Sequence, residues 1–240
     1  MQVNELWRFP VKSMQGERLQ SARLDEFGIE GDRGWALFDA ATDLALTARR
    51  EPELLYAAAA VVDSELVITL PDGTVGADDA AISAWLGREV QVRRSDEAVA
   101  GTYETQADES ETGEWFQWTG PTGSFHDSTR ARVSLVSTEA LRQWDKRRFR
   151  INVILDGSGD VELVSNQITL GTAIVDVTKQ IDRCIMTTRP QPANGDLAPL
   201  EKDLDVLRTI NRENETFLGV GGLVVSSGVV AVGDQIGSGS

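Results

Sequence analysis

Short runs of strand character, separated by turn residues, constrain this chain to a β-rich fold. Residues 3–9 alternate into a strand ending at Pro10; residues 34–39 read as a second, and a turn near 39–43 leads to a third at 44–48. Residues 57–62 and 66–70 flank Asp63-Ser64-Glu65 and are followed by the turn Pro71-Asp72-Gly73, where proline presets φ and glycine accepts a positive one. Residues 78–86 read as a short helix with Ile82, Trp85 and Leu86 on one face and Gly87 at its end. The second half repeats the pattern, with strand signals at 132–136, 151–155, 172–177, 223–225 and 228–232 and a capped helix from Ser137 to Arg142. The expected fold is mostly β with short helices, of the α+β class.

Between Ser95 and Gly123 the chain turns acidic, with Asp108-Glu109-Ser110-Glu111-Thr112-Gly113-Glu114 followed by Trp115, Phe116 and Trp118. This stretch reads as a long loop or domain junction whose aromatics anchor it to the surface. The terminal Gly237-Ser238-Gly239-Ser240 reads as a flexible tail.

A chain of 240 residues, 41% hydrophobic and 25% charged, suits one large domain or two small ones. Its start lacks a basic, then apolar leader, and no segment approaches the roughly 18 apolar residues of a membrane span, so a cytoplasmic location is expected. A net charge of −15 disfavours nucleic acid and anionic membranes as partners. Walker-type and dinucleotide glycine fingerprints are absent, which argues against nucleoside triphosphates and nicotinamide.

The only cysteine is Cys184, in Ile181-Asp182-Arg183-Cys184-Ile185-Met186-Thr187-Thr188. A single cysteine cannot form an internal disulfide, a cysteine-bound iron–sulfur cluster or a cysteine zinc site, so any electrons for redox chemistry must come from outside. A lone cysteine is commonly a small buried hydrophobe, but a thiolate beside Arg183 also suits a soft metal or a nucleophile. Pairing with the only histidine, His126, oriented by Asp127, is formally a protease-like arrangement, yet no nucleophile signature surrounds Cys184.

Several separated segments follow one pattern in order: Arg8-Phe9-Pro10-Val11-Lys12-Ser13, Gly28-Ile29-Glu30-Gly31-Asp32-Arg33 with Trp35, Leu46-Thr47-Ala48-Arg49-Arg50-Glu51-Pro52, Arg148-Phe149-Arg150-Ile151-Asn152, the Cys184 segment, and Gly228 through Asp234. On these residues the whole chain resembles the MOSC proteins (molybdenum cofactor sulfurase C-terminal domain) of the two-part type, like the mitochondrial amidoxime-reducing component and its bacterial relatives. The resemblance implies an N-terminal MOSC β-barrel domain over residues 1–95, a MOSC β-barrel domain over 96–236, the tail 237–240, and a cofactor in the cleft between the two domains. It implies that Cys184 ligates molybdenum in a pyranopterin (molybdopterin) cofactor. Lys12, Ser13, Arg33, Arg150, Asn152, Asp182 and Arg183 would hold that cofactor with Cys184, and Ser128 or Thr129 would add a hydroxyl. For Arg33, and for Arg49, a surface ion pair is the plainer alternative, as is a bulge cap for Asn152.

The implied activity is a two-electron reduction of small N-hydroxylated or N-oxide substrates by a monomeric molybdoenzyme oxidoreductase. Cys184 and Asp182 would be its catalytic residues, Asp182 assisting proton delivery or serving structure. Electrons would come from a separate ferredoxin- or cytochrome b5-like protein with its reductase. Alternatives are a cofactor carrier, a sulfur-transfer module that uses Cys184, or a scaffold that has lost the site. Two departures stand out, Gly221 in the place of a family tyrosine and Asp182 in that of a small residue, and the C-terminal ferredoxin-like domain of some bacterial relatives is not expected here.

Overall fold

The computed structural model describes residues 1–95, 100–106, 113–194 and 197–239. Its strands are β1 (Gln2–Arg8), β2 (Glu17–Leu19), β3 (Ser21–Asp25), β4 (Gly28–Ile29), β5 (Trp35–Asp39), β6 (Ala58–Val62), β7 (Glu65–Thr69) and β8 (Val90–Arg94). They continue as β9 (Ala100–Gln106), β10 (Trp115–Thr122), β11 (Val133–Ser137), β12 (Val153–Asp156), β13 (Gln167–Leu170), β14 (Ala173–Asp182), β15 (Phe217–Ser226), β16 (Gly228–Ala231) and β17 (Ile236–Ser238). Three helices join them: α1 (Asp79–Leu86), α2 (Thr138–Leu141) and α3 (Leu204–Asn214). The chain is mostly β with short helices, as its punctuation requires.

Two compact units divide the residues. The first comprises 1–8, 18–30 and 128–240. Its eight-stranded sheet runs β17-β13-β14-β15-β11-β12-β1-β2, in which β11 and β12 pair in parallel. Every second residue of β11, β12 and β14 faces one core, where Leu135, Val153, Leu155, Val175 and Val177 are fully buried. A second cluster gathers Val136, Phe149, Ile151, Ile154 and Leu218 under Val206 and Ile210 of α3. The sequence reading assigned nothing to α3, whose start is fixed by Asp203 accepting from the amide of Asp205.

The second unit comprises 9–17 and 31–127 and is built from the antiparallel pairs β5–β8, β6–β7 and β9–β10. Its core holds Ala36, Phe38, Ala45, Tyr103 and Phe125, with Trp118 against them. Asp78 caps α1 by accepting from the amide of Ala81, and Gly87 ends it at φ 66°.

Three local expectations need correction. The stretch read as one long loop contains β9 and β10, held by the cross-strand stack of Tyr103 and Trp118, whose ring centroids are 5.4 Å apart. Its remaining parts, 96–99 and 107–112, lie outside the described residues. Residues 44–48 form no strand; Ala45 alone bridges Phe38 and Tyr103 before a turn in which Arg50 and Glu51 donate to the carbonyl of Thr47. Gly237 and Ser238 of the expected flexible tail pair with Thr169 and Ile168 at the edge of the large sheet.

Candidate functional site

In the second unit the segment after Phe9 brings Lys12 and Ser13 into place. Lys12 is a buried cation: its side chain is 5% exposed, and Nζ donates to the carbonyl of Phe125 at 3.0 Å and to Asp127 at 2.5 Å. It also lies 4.3 Å from the centre of the Tyr103 ring. Ser13, at φ 72°, accepts from the amide of Ala48. Arg33, at φ 51°, pairs with Asp32, which is fully buried and also accepts from the amide of Phe9 at 2.6 Å. His126 is buried with Nε2 3.9 Å from Asp32. Arg33 is therefore ion-paired, though with a buried carboxylate, while Arg49 donates to the carbonyl of Gln106.

Asp127 is the counter-ion of Lys12, whereas the sequence pattern marks it only as an orienter for His126. Burial raises its carboxyl, but the charge and hydrogen bond of Lys12, with Arg33 and His126 beyond, outweigh that and bring it down to about 2. Its side chain is nevertheless 84% exposed, so a crowded surroundings and an open face coexist. The available signal was its position directly before Ser128 and Thr129.

In the first unit Cys184 stands in extended conformation at the head of a single 3-10 turn, Ile185–Thr188. The amide and hydroxyl of Thr187 both donate to the Cys184 carbonyl, at 3.1 and 3.0 Å. The half-buried thiol is the chain's one cysteine. Arg183 binds backbone: Nε donates to the carbonyl of Leu218 at 2.9 Å and Nη1 to that of Phe149 at 3.0 Å. Arg148 holds the other side of the turn, donating to the carbonyls of Thr187, Arg189 and Glu201. The sequence reading gave this buried arginine no role of its own.

Asn152, just before β12, is buried and joins β11 to β1: Oδ1 accepts from the amide and hydroxyl of Ser134, and Nδ2 donates to the carbonyl of Trp7. Arg150 is half-buried at φ 51°. Ser128 accepts from the amide of Arg130, and Thr129 is exposed. Asp182 is 66% exposed and bonded to Lys179 at 2.8 Å; burial raises its carboxyl, but Lys179, with Arg183 behind it, holds it below the usual carboxylate range. A proton donor near neutral pH needs the opposite shift.

Of the candidate residues, Ser13, Arg33 and Arg150 all adopt left-handed backbone angles that side-chain-bearing residues avoid. Such conformations persist where surrounding structure enforces them, and they gather at binding sites. Among the described residues no group of three His, Cys, Asp or Glu could hold a metal ion. One soft thiol, on a turn held by Arg148 and Arg183, thus fits a metal that arrives with further ligands of its own.

The strand-rich, two-part build and the ordered motifs define a class. Residues 1–118 match the MOSC N-terminal beta barrel domain and residues 122–237 the MOSC domain. The chain belongs to the MOSC family in its two-part form, a family associated with the molybdenum cofactor. It is similar to the YuaD protein from Bacillus subtilis at 13% identity and a TM-score of 0.44, over 98% of this chain and 93% of that one. It is also similar to YiiM from Geobacillus stearothermophilus at 13% identity and a TM-score of 0.36, over 60% of this chain and 74% of that one. No curated protein matches it. Among the described residues no helix is long and apolar enough to cross a membrane.

Proposed function

We propose that this chain binds a molybdenum cofactor through Cys184 and reduces small N-hydroxylated or N-oxide substrates with electrons from a separate donor protein. The observation that carries the reading is the setting of Cys184: a lone soft donor on a turn clamped by Arg148 and Arg183, in a chain of the MOSC family. When bound, the cofactor supplies oxygen-atom transfer, with two electrons and two protons releasing the substrate oxygen as water. The protein's part is positioning. Arg148 and Arg183 fix the backbone on both sides of the thiol through five hydrogen bonds to carbonyls, so the sulfur is presented without a search over turn conformations. Lys12, Arg33 and Arg150 supply the cations that an acidic chain must concentrate to hold a phosphate. Asp182, ionised and paired with Lys179, takes the part of a charged neighbour rather than of the proton donor.

The test is elemental and kinetic. Protein from a cofactor-producing host should carry close to one molybdenum per chain and turn over an amidoxime with an artificial reductant, while NADH alone gives nothing. Cys184→Ser should lose metal and turnover yet unfold at the same denaturant concentration, because a hydroxyl matches the thiol in size but is a poor soft-metal ligand. Full metal content in that variant ends the ligand assignment; metal without turnover in the wild type favours a carrier.

A further inference from the structure

The Lys12–Asp127 pair is lopsided. The lysine side chain is 5% exposed, and its ammonium is fixed from two other directions, by the Phe125 carbonyl at 3.0 Å and the Tyr103 ring at 4.3 Å. The carboxylate that neutralises it is 84% exposed. Burying an ammonium is less costly with an anion beside it, so an acid or a ligand anion is favoured against Lys12. Asp127 can give up that place cheaply, since most of its side chain already faces water. Lys12 has no comparable freedom.

We propose that Asp127 is a displaceable counter-ion on Lys12, holding the ammonium until the phosphate monoester of the bound cofactor takes its place. This rests on the cofactor reading above and adds to it a competition built into the chain. The Asp127 carboxyl, at about 2, is ionised at neutral pH, so one anion replaces another and Asp127 gains no proton. Arg33, whose charge also lowers the Asp127 carboxyl, has its own partner in the buried Asp32, which leaves the exchange to Lys12. The arrangement explains why a family lysine expected to touch cofactor is paired within its own unit.

Inorganic phosphate is the probe, titrated calorimetrically into full-length, cofactor-free chain from a host unable to make the cofactor. Asp127→Asn should bind phosphate roughly tenfold tighter than wild type, because one charge-assisted contact no longer competes. In phosphate-free buffer its melting temperature should fall, and added phosphate should restore more of it than it adds to wild type. A purely structural ion pair would give the fall without the restoration. The double variant Asp127→Asn/Lys12→Met, which removes both charges together, should fold and lose the phosphate affinity. Equal or weaker phosphate binding by Asp127→Asn, or affinity that survives in the double variant, overturns the proposal. A last arm separates cofactor from free phosphate: made in a cofactor-producing host, Asp127→Asn should keep at least the wild-type pterin content through dialysis. Tighter phosphate with lower pterin content would mean a free-phosphate site and overturn the exchange. The wild type's own pterin content tests the cofactor reading separately.

Discussion

Arg183 is bound to Phe149 twice over: Nη1 donates to its carbonyl at 3.0 Å, and the guanidinium centre lies 5.5 Å from its ring. With the bond to Leu218, this ties the residue before the cysteine to the Arg148–Asn152 segment and to β15. Arg183→Ala should therefore cost about 1.5–3 kcal/mol in urea unfolding, the scale of a charged hydrogen bond lost from a partly buried place. It should also loosen the turn, so that iodoacetamide alkylates Cys184 several-fold faster. Lysine should recover only part of both effects, since it cannot reach two carbonyls with one fork. An unchanged alkylation rate in a destabilised Arg183→Ala protein would show that the arginine holds the sheet and not the thiol.

Gly221 has no room for a side chain. A Cβ on Gly221 would stand 2.6 Å from the Cβ of Ala131 and 3.5 Å from Ile181. Gly221→Ala should destabilise the chain by about 1–3 kcal/mol, the usual scale of overpacking. Ala131→Gly in the same chain should return part of that loss, a coupling visible in a double-mutant cycle of urea midpoints. Additive losses would mean that the crowding is relieved elsewhere.

Local chemistry was legible where a few adjacent residues decide it. Asp78 and Gly87 bound α1, and Ser137 caps α2, because a side chain and an amide three residues on settle each end. The β9–β10 hairpin was not legible: its pairing depends on Tyr103 meeting Trp118 across an acidic stretch that reads as solvent-loving by composition. The same limit applied to the site. Cys184 and the cations could be named from their motifs, but not their partners. Asn152 and Arg183 are occupied by Ser134, Trp7, Leu218 and Phe149, residues distant in sequence, and motif membership alone could not separate a side chain that holds backbone from one that faces a ligand.

The Asp127 carboxyl fixes a pH dependence. Its value falls from 3.8 to about 2 on folding, so its contribution to stability is present above the unfolded value and disappears as pH drops through the folded one. The urea midpoints of wild type and Asp127→Asn should differ at pH 7 and converge between about pH 4 and pH 2. Because the carboxylate is mostly exposed, the gap should be at most about 1 kcal/mol. Comparing the two proteins at each pH cancels the titration of the other acids. A gap that persists at pH 2 would mean that the pair stabilises by packing rather than by charge.

Arg150 allows backbone strain and ligand binding to be separated. Its φ of 51° costs an L residue about 1–2 kcal/mol, a cost that glycine avoids. Arg150→Ala and Arg150→Gly both remove the guanidinium, and each should lower cofactor retention through dialysis by roughly ten- to a hundredfold, matching a lost charge-assisted contact. They should part in stability, with glycine unfolding about 1 kcal/mol later than alanine. Arg33 is a poorer subject, because its removal leaves the fully buried Asp32 without its ion-pair partner and confounds binding with folding. Arg208, 69% exposed on α3 and paired with Asp205 one turn away, is a suitable control. If Arg150→Ala keeps its cofactor as well as Arg208→Ala does, the left-handed angle at 150 serves the turn into β12, and the phosphate is held by other residues.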